Sequence, residues 1–180
     1  MIIANKLSKT NRAEFLLYLW QVEDIIRANK CNIDVLKENY LSQFHLPDDV
    51  MKETENWYSD LCNMVIEEGL QKRGHLQICK GVLQELEELH QNLLNSSKYP
   101  LYRQLYMKVL PYIVELRAKG EDKNQHELQT CFDALYGIMM LRLQKKEISS
   151  QTSNAQKDIS AMLGQLSYYY FKDKEKPLEF

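Results

Sequence analysis

Near the end of the chain's most apolar stretch stand Trp20, Glu23, Asp24 and Arg27, an aromatic ring followed by two carboxylates and a guanidinium. On a helical wheel of about 100° per residue, the three charges continue the face begun by Leu16 and Trp20. Arg27 follows Glu23 and Asp24 at helical spacing, so it can pair with either across one turn. Two readings are open. In the first, the helix end emerges into water and its charges pair among themselves, worth about 0.5 kcal/mol. In the second, they rim a groove floored by Trp20, where a ligand or partner uses the carboxylates. Unpaired buried charge is costly, so depth and partnering separate the two.

Glu87 and His90 have the Glu-x-x-His spacing by which one helix offers two ligands to a di-iron centre. No second copy of that spacing occurs. His90 also continues the apolar seam of Leu83, Leu86 and Leu93, where a hydrogen-bonded core histidine is the ordinary occupant. His75 and Cys79 lie one turn apart, as two zinc ligands can, but further ligands would have to come from Cys62, Cys131 or His126 by tertiary accident. There is no Gly-rich phosphate loop, no GxSxG elbow and no HExxH. The expectation is no metal, no cofactor and no catalytic constellation.

Composition narrows the field further. The 180 residues suit one domain, 1–180, able to bury roughly 70% of its unfolded surface. Lys plus Arg (23) nearly balance Asp plus Glu (25), so the net charge of -2 supplies no field for nucleic acid or an anionic membrane. Lys6, Lys9 and Arg12 precede Phe15 to Trp20 in signal-peptide order, yet that run is short and meets Glu23 and Asp24 at once. Nothing approaches the ~20 apolar residues of a membrane span. The four cysteines, Cys31, Cys62, Cys79 and Cys131, form no CxxC pair and read as buried free thiols of a cytoplasmic protein.

The elements that must position these residues read as helices from end to end, an all-α up-down bundle of six to seven. Thr10 is the expected cap of a helix to about Ala28. A second covers Ile33 to Phe44. Pro47, Asp48 and Asp49 open a third that stops near Gly69 or at Gly74. The fourth starts near His75 and ends at Asn95-Ser96-Ser97. A fifth runs from Tyr99-Pro100 to Lys119-Gly120, with a kink expected at Pro111. Asn124 and Glu127 form a capping box for the sixth, and Ser153 caps the seventh, from about Asn154 to Tyr170.

Tyr168, Tyr169, Tyr170 and Phe171 are consecutive, so they cannot all face one core, and some ring must reach the surface. That makes them a candidate interface for a homodimer or a protein partner. The stretch IIANKLSKTNRAEFLLYLWQVEDIIRANKCN, with the later PLYRQLYMKVLPYIVELRAKG, resembles a family of uncharacterised bacterial proteins, a domain of unknown function. The resemblance implies a bacterial cytoplasmic helical protein and carries no functional residue with it. The leading expectation is a non-enzymatic bundle acting through protein-protein contacts; the alternative is a ligand- or metal-binding bundle.

Overall fold

The structure is a computed structural model describing residues 2–119 and 125–180. Among the described residues there are eight α-helices, one 3-10 turn and no strand: α1 (Ile2–Thr10), α2 (Arg12–Ala28), α3 (Ile33–Asn39), α4 (Asp48–Glu67), α5 (Gln77–Asn95), α6 (Pro100–Lys119), α7 (Glu127–Leu143) and α8 (Ser150–Glu175). The fold is all-α, with α1 the helix that periodicity had not separated.

The local signals explain most boundaries. Asn32 accepts from the free amides of Asp34 and Val35 and starts α3. Tyr40 breaks that helix, and Leu41–Gln43 continues as a 3-10 turn, shorter than the single helix to Phe44 that spacing suggested. After α4, Gly69 turns left-handed at φ 69° while Leu70 N–H bonds Val65 O at 2.8 Å. This Schellman closure makes Gly69, not Gly74, the stop.

Two caps differ from expectation. Thr10 is the last residue of α1 and α2 begins at Arg12; the amide of Ala13 donates to Ser167 Oγ at 2.9 Å, whose own proton goes to Asn11 Oδ1 at 3.0 Å. A side chain from α8 thus does what a neighbouring threonine was expected to do. Ser149, not Ser153, caps α8, accepting from Thr152 N–H at 3.1 Å, and the helix continues to Glu175. The expected cap Asn124 and the stop Gly120 lie outside the described residues; His126 accepts from Leu128 N–H at the head of α7.

The chain divides into two compact units, Met1–Lys9 with Glu14–Val82, and Thr10–Ala13 with Leu83–Phe180. In the first, α3 packs on α4. Its buried side chains include Leu16, Trp20, Ile26, Leu36, Tyr58 and Val65. In the second, α6, α7 and α8 pack pairwise around Tyr102, Val109, Ile113, Phe132 and Leu166. All four cysteines are free and buried.

Candidate functional site

In the first unit, the apolar half of α2 carries Trp20 and Glu23 inward together because they lie three residues apart on one face. Glu23 is 1% exposed. Its Oε1 accepts the backbone N–H of Leu76 at 2.8 Å and the thiol of Cys79 at 3.2 Å, while Oε2 lies 2.7 Å from His75 Nδ1. Trp20 stacks on the His75 ring with centroids 4.1 Å apart and planes 18° from parallel. Glu68 Oε2 takes the next amide, Gln77 N–H, at 2.8 Å. The head of α5 therefore faces two carboxylates, which suit the positive end of its dipole.

Arg27 holds the loop that leads into α5. Its guanidinium donates to Leu70 O at 2.9 Å and to Gly74 O, and pairs with Asp24 at 2.7 Å and with Glu23 at 3.8 Å. Asp24 remains half-exposed. The four sequence-selected residues thus separate by depth. Trp20 and Glu23 are buried, Arg27 is nearly so, and Asp24 reaches water.

The charges meet on a loop, and His75 and Cys79 meet on Glu23. Sequence spacing did not show that junction, because its two halves lie about fifty residues apart; the one signal was Glu23 on the Trp20 face. Burial, followed by the negative charge of Glu23, raises the Cys79 pKa, so this sulfur is held as a thiol and not as a nucleophilic thiolate.

The second unit holds another polar group, on α5, α6 and α7. His90 is wholly buried, and its Nδ1 lies 2.6 Å from the Tyr102 hydroxyl. The tautomer that lets Tyr102 donate puts the proton on Nε2 and aims it at Glu127 Oε2, 3.8 Å away. Nε2 has no hydrogen-bond partner among the described residues. Tyr106 donates to the same carboxylate at 2.9 Å, and Arg117 stands 4.0 Å from its other oxygen. Burial lowers the His90 pKa to about 4, against the opposing pull of Glu127.

Beside it, His126 Nδ1 lies 3.2 Å from Glu87 Oε1. Burial raises the Glu87 pKa. Among the described residues, no group of three or more His, Cys, Asp or Glu is arranged to hold a metal ion.

The consecutive aromatics of α8 divide as their spacing requires. Tyr169 packs edge-on against Tyr99 and Tyr102, with centroids 5.1 and 6.3 Å away. Tyr170 donates to Glu85 at 2.9 Å beneath the Arg12 guanidinium. Phe171 meets the edge of Tyr170, and Tyr168 is 52% exposed. A trench of about 500 Å³ runs between α6, α7 and α8, floored by Ala134, Gly137 and Ala155 with Leu116 and Ile138 as walls.

Buried polar junctions between helices, with no strand and no described helix long and apolar enough to cross a membrane, define an all-helical protein. The chain belongs to the family described as Domain of unknown function (DUF4924), which matches residues 1–177. No curated protein and no solved structure matches it.

Proposed function

We propose that this protein acts through protein-protein contacts, without catalysis, in the cytoplasm. One observation carries the reading: Leu101, Met107, Val114, Leu143 and Tyr168 of the second unit are each more than half exposed. Large apolar side chains in such number are the raw material of a contact surface. The polar groups around Glu23, by contrast, bind the chain's own backbone and side chains, and the four unbridged thiols agree with a reducing compartment.

The test is photo-crosslinking in producing cells from a reactive residue at Val114, Leu143 or Tyr168, with exposed Lys157 as control, followed by mapping of the joined peptides. One recurrent joined peptide from the apolar positions supports the reading. Silence there, or equal labelling from the control, refutes it.

The second reading is a ligand-binding bundle, favoured by the unpartnered Nε2 of buried His90 beside Glu127. A small polar ligand bridging those atoms would raise the melting temperature of the wild-type chain and not of His90→Gln.

A further inference from the structure

On the outer side of α6, Met107, Pro111, Val114 and Ala118 follow one another at intervals of four, three and four residues. That is the spacing of a coiled-coil seam, and it keeps the four within an arc of about 60° on one face. The face is bare. Met107 is 59% and Val114 61% exposed, Pro111 and Ala118 are exposed as well, and no described element of the chain covers them. Along one flank of this seam lie Lys108 and Glu115, two turns apart. Lys108 is exposed and has no ion pair among the described residues, while Glu115 is half-buried, holding Lys119 at 2.6 Å through one oxygen and accepting from Gln151 Nε2 at 3.4 Å on the other.

We propose that the α6 seam is the contact by which two copies of this chain pair, antiparallel and about a twofold axis. The inference rests on the contact reading above and names one partner for it. The charges select this partner. Antiparallel pairing sets Met107 against the second copy's Ala118 and Pro111 against its Val114. A twofold axis across the two helices keeps Lys108 and Glu115 on the same side of the pair. Lys108 of each copy then lies within about 3 Å, along the axis, of the level of Glu115 in the other.

The result is two symmetric ion pairs beside one apolar stripe, the self-complementary pattern an isologous contact requires. A parallel twofold would put the two Lys108 side chains on opposite sides of the pair and lose it. One helix pair buries less than the roughly 1,200–2,000 Å² of a standard stable interface, so the dimer is a weak, reversible one.

Sedimentation equilibrium of the full chain across a concentration series reads this directly. The expected mass rises from 21.3 kDa toward twice that value as concentration increases. Val114→Asp is expected to weaken association at least tenfold while the helical circular dichroism and melting temperature stay at wild-type values. Lys108→Glu alone and Glu115→Lys alone each weaken it, and the double exchange restores it, because reversed charges meet again across the twofold.

A chain that stays monomeric up to millimolar concentration overturns the proposal. So does a dimer indifferent to Val114→Asp, or one that the double exchange fails to rescue. Crosslinks from Leu143 or Tyr168 to a different protein would leave the broader reading standing if the seam failed.

Discussion

Replacing Glu23 with alanine would remove the acceptor shared by Leu76 N–H, His75 Nδ1 and the Cys79 thiol, leaving an amide and a thiol without partners in a region from which water is excluded. A buried donor that loses its acceptor costs about 1–3 kcal/mol, and breaking a buried charged group's partnership costs about 3–5 kcal/mol in all. Arg27, at 3.8 Å, would also lose one of its two carboxylates. The expected loss is therefore about 4 kcal/mol, a fall in melting temperature of roughly 8–16 °C for a chain of this size.

Glu23→Gln keeps an oxygen for Leu76 N–H, and its amide can donate to a His75 tautomer with a free Nδ1, so it should cost less than half as much. Urea unfolding of the three proteins, with the slope of the transition checked for constancy, gives the numbers. If Glu23→Ala unfolds within 0.5 kcal/mol of wild type, or proves more stable, Glu23 does not hold the head of α5 in place. Glu23 would then be held at a cost for something outside the chain, as groups in working sites commonly are.

The depressed His90 pKa makes stability depend on pH with a definite sign. The unfolded imidazole binds its proton near pH 6.5 and the folded one only near 4, so stability is full above 6.5, falls by about 3 kcal/mol as pH drops toward 4, and levels off below; His90→Gln should flatten that window in urea midpoints taken at each pH, and an unchanged slope would refute the assignment. Gly137→Ala should stabilise by about 0.5–1 kcal/mol, since the position is helical and nothing lies within 4 Å of an added Cβ; thermal melts showing destabilisation would mean the trench floor is occupied. With burial raising the pKa values of Cys79 and of Cys131, the latter to about 12, a disulfide reagent should label these thiols at the rate of unfolding; rapid labelling of the folded chain would contradict their burial. Ser149→Ala should cost about 1 kcal/mol, the loss of one helix cap, whereas Ser153→Ala should be near neutral in the same melts.

The helical class, the stop at Ala28, the opening of α4 behind Pro47 and an end at Gly69 or Gly74 could be read from the residues alone. Each depends on interactions within about five residues: periodic apolar spacing, a fixed proline φ, a glycine free to take positive φ. The inward direction of Trp20 belongs to the same class, because it follows from the wheel. What the residues could not show is where a free amide finds its acceptor when that acceptor comes from elsewhere in the chain. Ser167 closes the head of α2 and Glu23 the head of α5 from 154 and 53 positions away, and no local pattern encodes such a distance.

The same holds for His90. Its seam marked it as buried, but only packing placed Tyr102 on one nitrogen and left the other facing Glu127 without a bond. On α6, the sequence contains the four-three-four spacing; which face of the helix remains uncovered was decided by the packing of α7 and α8 against the other sides. Short-range sterics and hydrogen bonding act through the chain itself and leave their mark on neighbouring residues. Burial and polar partnering act through space, and only the folded chain settles them.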